Sequence, residues 1–217
     1  MLLDTHLHTK EYSPDSFLPV RDAVRRAREM GLSGLCVTDH DSIGITAEVD
    51  SLRNECSFPI FVGIEVLTKS GDFVVFGLNY APQPKTLTPE ELIAIVRECN
   101  GVAIAAHPYR NNGRGAGDLI KTLLGLDGVE CFNGSTKHEA NLEALYAARK
   151  RGIACLGASD SHWVEKVGKF ATRFYDEAHD ERELIQLIRA GACEPVAWNG
   201  SIFVPAEEWT LSQIHKS

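Results

Sequence analysis

His6 and His8, in Asp4-Thr-His-Leu-His, are separated by the single residue that lets two imidazoles point to the same side of a β-strand. Asp160 and His162, in Ala158-Ser-Asp-Ser-His, have the same spacing. Together with His40, Glu65 and His107 they make a set of imidazoles and carboxylates without a thiolate. Such donors suit borderline or hard divalent ions: Zn, Mn or Fe(II). A carboxylate such as Glu65 can bridge two ions, which a neutral imidazole does poorly. Water between two such ions has a lowered pKa and is a ready nucleophile near neutral pH. The chemistry on offer is metal-assisted hydrolysis.

These donors are spread from residue 6 to residue 162, so the fold must return each of them to one place. Short apolar runs alternate with helical patterns along the chain, the rhythm of βα units. The runs are 2–7, 34–38, 60–65, 73–78, 102–106, 128–132 and 153–158, with a last one near 195–198. Helical periodicity fills 20–30, 88–99, 139–151 and 180–190. Three of these stretches stop at a glycine (Gly31, Gly152, Gly191), and the one at 88 opens with Thr88 as N-cap and Pro89 in the first turn. His6 and His8 close the first run, His40 follows the second, Glu65 ends the third and His107 follows the fifth. Asn133 follows the sixth run, and Asp160 and His162 the seventh. In an α/β barrel the C-terminal strand ends converge on one face. Five of the eight histidines occupy such positions, whereas His138, His179 and His215 do not. The expected architecture is therefore an α/β barrel in a single domain over 1–217. Residues 111–117 (NNGRGAG) lack the Gly-Lys-Ser/Thr ending of a phosphate-binding P-loop and are read as a surface loop.

Composition narrows the partners. The net charge of −8 disfavours long nucleic acid, whose binding rests on Lys and Arg contacts to phosphate, and favours a small substrate held by metal. No apolar run approaches the roughly 18 residues of a membrane span, and polar residues interrupt the N-terminus before a signal peptide could form. The six cysteines form no Cys-x-x-Cys pair, and Cys36, Cys131 and Cys155 lie in apolar runs. Reduced, buried thiols and a cytoplasmic location are expected.

Asp4-Thr-His-Leu-His-Thr, Tyr12-Ser-Pro-Asp-Ser, Val37-Thr-Asp-His-Asp, Gly63-Ile-Glu, Ala106-His-Pro-Tyr-Arg and Gly157-Ala-Ser-Asp-Ser-His resemble, in that order, the motifs of the PHP family, named for polymerase and histidinol phosphatase. The resemblance covers about residues 3–170, with 171–217 left as a closing helix and C-terminal extension. It implies a distorted (β/α)7 TIM-like barrel, two or three divalent ions and hydrolysis of a phosphoester. Carried over by position, it implies one ion on His6, His8, Glu65 and Asp160, a second on Glu65 and His107, and a third on Asp15, His40 and His162. Asp39 would orient its neighbour His40. Related sequences carry a histidine on the fourth strand where this chain has Asp72, which would complete the second ion from the inward face that it shares with Val74 and Phe76.

The mechanism expected of such a site is attack of a metal-bound hydroxide on phosphorus, with Asp160 or His162 taking or relaying a proton. Arg110 is placed to pair with phosphate. Asn133 could bond substrate or cap its loop, and Lys10, Arg114, Lys137 and Lys169 are further cations for phosphate. The expected substrate is a small phosphoester, with histidinol phosphate and nucleotides among the choices. Two other functions fit parts of the pattern: an amidohydrolase cleaving C–N bonds, and a non-catalytic module of the kind that accompanies polymerases. No lysine ends a strand to bridge ions as in many amidohydrolases, and nearly every ligand type is kept, so phosphoester hydrolysis is the stronger expectation.

Overall fold

The computed structural model describes residues 1–215. Eleven strands and six helices follow one another as β1 (Leu2–Leu7), α1 (Val20–Glu29), β2 (Gly34–Val37), α2 (Thr46–Cys56), β3 (Ile60–Val62), β4 (Ile64–Thr68), β5 (Gly71–Phe76), α3 (Pro89–Glu98), β6 (Val102–Ala105), β7 (Gly128–Asn133), α4 (His138–Arg151), β8 (Ala154–Ala158), β9 (Phe170–Phe174), α5 (Glu181–Ala190), β10 (Cys193–Trp198), β11 (Phe203–Pro205) and α6 (Ala206–Ile214). Among the described residues no helix is long and apolar enough to cross a membrane.

The strands form two sheets, one of six in the order β11-β10-β9-β1-β2-β3 and one of five in the order β4-β5-β6-β7-β8. A closed seven-stranded barrel, expected from the sequence, does not form. The apolar run 60–65 breaks at Gly63: β3 pairs parallel with β2 in the first sheet, and β4 turns to pair antiparallel with β5 in the second. A Cβ at Gly63 would lie 2.7 Å from the Phe76 ring and 2.8 Å from the Val75 carbonyl, so the close turn there excludes any side chain. The β4–β5 connection is a tight hairpin, and β5 pairs antiparallel with β6, where a parallel barrel would need a crossover helix. The stretch beyond residue 170, foreseen as a closing helix and extension, adds β9, β10 and β11 to the first sheet besides α5 and α6.

Alternation along the strands divides the core. On β5, Asp72, Val74 and Phe76 face inward, while Phe73 and Val75 pack outward with Leu92 and Val96 of α3 and Leu145 of α4. Val74 and Phe76 meet Leu3, Cys36, Ile104 and Leu156 between the sheets, and Leu184, Ile185 and Ile188 of α5 join that cluster. On the outer side of the first sheet, Leu35 and Val37 pack under Val24 of α1 and Val49 of α2. The N-cap read at Thr88 is present and extends to a capping box: Glu91 N donates to the Thr88 hydroxyl (3.3 Å) and Thr88 N to the Glu91 carboxylate (2.7 Å). Cys36 and Cys131 are buried and Cys155 half-buried, all three as free thiols.

Two isolated parallel bridges, Leu7 with Ser161 and His40 with Glu65, join one sheet to the other. Asp160 N donates to His6 O, His8 N to Ser161 O, and Asp41 N to Glu65 O, each at 2.9 Å. The sheets thus come together at the mouth where the donor residues lie.

Candidate metal centre

Three groups of donor atoms converge at this mouth: His6, His8 and Asp160; Glu65, Asp72 and His107; and His8, His40 and His162. In the first, His6 Nε2 and His8 Nε2 are 2.9 Å apart, and Asp160 Oδ1 stands 3.2 Å from His8 Nε2 and 3.7 Å from His6 Nε2. Glu65 reaches His6 and His8 at 3.6 Å each, and His107 at 2.8 Å. Asp72 Oδ2 is 3.8 Å from His107 Nε2. The third group is a stack of imidazoles, His8 with His40 and His162, flanked by the exposed Asp15 at 3.3 Å from His40 and 3.5 Å from His162. Donors about 2.1 Å from a common tetrahedral ion stand about 3.4 Å from each other, so these spacings fit divalent ions. Glu65 Oε2 adds a second sign of fit, since it is buried without an aligned hydrogen bond although His40 Nδ1 is 2.6 Å away.

The electrostatics favour a cation. Burial opposes charge on the His6 imidazole, but Glu130, Glu65 and Asp160 around it raise its pKa to about 10. Burial drives the neighbouring His8 down to about 3. Glu65 stays well below the usual carboxylate range despite its burial, held there by His6, His107 and His40. A divalent ion would satisfy the same carboxylates that the His6 proton satisfies here.

Backbone strain gathers at the same place. His107 (φ 29°), Asp160 (φ 51°) and Asp41 (φ 48°) occupy the left-handed region without being glycine. Such residues cost on the order of 1–3 kcal/mol each and collect at functional sites. His107 and Asp160 each stand two residues beyond a strand, β6 and β8, so the kink aims the side chain back over the mouth. Register shifts in β1, between Asp4 and Leu7, and in β7, between Glu130 and Phe132, re-aim further side chains. With them Glu130 and Asn133, three residues apart, both reach the site.

A family model described as PHP-associated matches residues 138–193. Uncharacterized protein MJ1587 of Methanocaldococcus jannaschii is 37% identical over 143 residues, covering 61% of this chain and 82% of that protein. A two-domain protein from Bacteroides vulgatus, described as containing a predicted PHP-like metal-dependent phosphoesterase, superposes with a TM-score of 0.71 at 13% identity, over 98% of this chain and 69% of that one. A protein from Bifidobacterium adolescentis described as a candidate metal-dependent phosphoesterase gives 0.65 at 18% identity, over 88% of this chain and 96% of that one. The chain belongs to the PHP family.

Of the residues that the PHP motifs single out, His6, His8, His40, Glu65, Asp72, His107, Asp160 and His162 all lie within these groups, and Asp15 borders them. Arg110 Nη2 donates to Asn133 Oδ1 at 2.5 Å and to Asp160 Oδ2, and its Nε donates to Thr136. Asn133 is fully buried, with its amide group committed to Glu130, Asp160 and Arg110. It orders the site and offers substrate no free group. Lys169 Nζ donates to Gly134 O, and Lys10 and Lys137 are exposed and form none of these contacts. Asp39 accepts from Thr9 and from the Ser13 hydroxyl, and Ser13 lies 3.4 Å from His8 Nδ1 while accepting from His40 N. It therefore positions His8 as much as His40. The loop 111–117 is built into the site, since Arg114 Nε and Nη2 clasp Asp72.

One central residue was not foreseen. Glu130, on β7, receives His6 Nδ1 at 2.9 Å, the His107 backbone N–H at 2.9 Å and Asn133 Nδ2 at 2.8 Å. A hydrogen bond at Nδ1 fixes the tautomer that leaves Nε2 free to bind metal. The signal was available: a lone carboxylate inside the apolar run Gly-Val-Glu-Cys-Phe. Glu130→Gln is expected to weaken metal binding by about 10–100-fold while the chain stays folded. Mn²⁺ titration by calorimetry measures this, and unchanged affinity would reduce Glu130 to a packing residue.

Proposed function

We propose that this chain is a metal-dependent phosphoesterase acting on a small phosphorylated substrate. The observation that carries the proposal is the convergence of three His/Asp/Glu donor groups, two of them sharing His8 and the third reaching His6 and His8 through Glu65, beside an arginine at one mouth. One divalent ion would be held by His6, His8, Glu65 and Asp160, and one by Asp15, His40 and His162; the Glu65–Asp72–His107 group would hold a further cation. The all-N/O donor set suits Mn, Fe(II) or Zn. Divalent ions supply an acidified water and neutralise phosphoryl oxygens when bound.

The chain's own residues do the rest. Arg110 Nη1 makes none of the bonds that hold the guanidinium in place, and it meets a phosphate oxygen beside Asp160. His162 is partly open to solvent; its Nδ1 faces the Asp160 carbonyl at 3.2 Å, which leaves Nε2, with Asp15 3.5 Å away, as the atom for the ion. Glu130 and Asn133 keep His6, His107, Asp160 and Arg110 aligned. The net charge of −8 suits a small anion drawn in by local cations better than a long nucleic acid.

The test starts with metal analysis of protein purified without chelators. Rates on p-nitrophenyl phosphate and bis(p-nitrophenyl) phosphate are then compared with simple amides and lactones, followed by histidinol phosphate and nucleotide mono- and bisphosphates. Metal-loaded protein that releases no phosphate, or that hydrolyses amides faster, would overturn the proposal.

A further inference from the structure

The Glu65–Asp72–His107 group already contains a cation of the chain's own. Arg114 Nε lies 2.5 Å from Asp72 Oδ2 and its Nη2 3.1 Å from Asp72 Oδ1, the fork geometry that a guanidinium makes with a carboxylate. The same Nη2 is 3.7 Å from Glu65 Oε2 and 3.4 Å from His40 Nδ1. Four donor atoms from three candidate ligands therefore surround one guanidinium.

The pairing is templated by backbone. Asp72 N donates to Arg114 O at 2.8 Å, so the two residues are bonded through main chain and side chain alike. Beside them Gly71 has φ 105°, and a Cβ there would lie 2.6 Å from Ala116 N, so the strand and the 111–117 loop are packed without a gap. Asp72 is fully buried and Arg114 about one-third exposed, which places the guanidinium on the solvent side of the carboxylate. An ion entering this group would need the Asp72 oxygens that Arg114 holds, and would meet a like charge in a poorly screened setting. An aspartate at position 72 suits this arrangement and a histidine does not, because imidazole offers a guanidinium no pair of acceptor oxygens.

We propose that Arg114 is the resident cation of the Glu65–Asp72–His107 group, so that the loaded chain holds two divalent ions and not three. The proposal rests on the metal-dependent reading above. Its test is stoichiometry: wild type, Arg114→Met, Arg114→Lys and Asp72→His are loaded with excess Mn²⁺, desalted and measured by plasma mass spectrometry, with melting curves of each. Two ions per chain are expected in wild type and in Arg114→Lys, which keeps the charge. Three are expected in Arg114→Met, where the carboxylate is released, and in Asp72→His, where the fork has lost its acceptors. Three ions in wild type, or two in folded Arg114→Met, would overturn the proposal. Should Arg114→Met not fold, Asp72→His decides, since two ions there would overturn it equally. Wild type without any bound metal would instead remove the metal-dependent reading itself.

Discussion

His8→Ala is expected to reduce phosphoester hydrolysis to background and to lower the metal bound per chain. His8 alone belongs to two of the three donor groups: Nε2 faces His6 and Asp160, while its ring stacks on His40 (4.0 Å between centroids) and His162 (4.4 Å). Fully buried at the end of β1, it cannot be replaced by a mobile neighbour or by bulk solvent. The control is His138→Ala. His138 opens α4, lies 5.5 Å from the Trp209 ring and joins none of the donor groups, so its loss touches only local packing. Metal content, rate and melting temperature measured on both variants separate the two effects. His8→Ala protein that kept its metal and its rate would mean that the mouth is not the active site.

Glu65→Gln should lower turnover by at least about 10²-fold, the upper range for losing a mere outer-shell partner of a metal ligand. Glu65 is itself the hub: His6, His8, His40, His107 and Arg114 all lie within 3.7 Å of its carboxylate. Glutamine keeps the shape and removes the charge. It therefore weakens every ion that shares this residue, whereas Asp15→Asn should disturb only the His40–His162 side. Calorimetric Mn²⁺ titration of the two variants shows the contrast. Equal, small losses in both would argue that Glu65 is not shared between ions.

The placement of the donors could be read from the sequence because a strand followed by a polar residue is a local pattern. His6 and His8 close the first apolar run, His40, His107, Asp160 and His162 each follow a later one, and parallel strands carry such ends to one mouth. Other features depend on choices made between segments. Nothing local tells that Gly63 sends β3 and β4 into different sheets, since the constraint is the Phe76 ring packed against it. The register shift in β7 that lets Glu130 and Asn133 face the same way is equally invisible, and simple alternation would place them on opposite faces. Helix α2 buries only Val49 and Leu52 along its length, too sparse an apolar stripe to announce itself. Arg114 stood in a glycine-rich stretch whose composition suggested a free loop. Its role comes from Asp72, forty-two residues away in sequence.

The bridges that join the two sheets at the mouth give metal supply a second consequence. His6, His8 and His40 come from the first sheet, and Glu65, His107 and Asp160 from the second. An ion held as proposed on His6, His8, Glu65 and Asp160 would act as a clasp across the seam, so its affinity would also be adhesion between the halves. At a free ion concentration a thousandfold above the dissociation constant, that linkage is worth about 4.1 kcal/mol, a large share of the roughly 5–15 kcal/mol that keeps a domain folded. Metal starvation would then reach beyond catalysis, because chains without the ion lose that stabilisation and would be unfolded, and open to proteases, more of the time. The cell's stock of this protein would track its supply of metal.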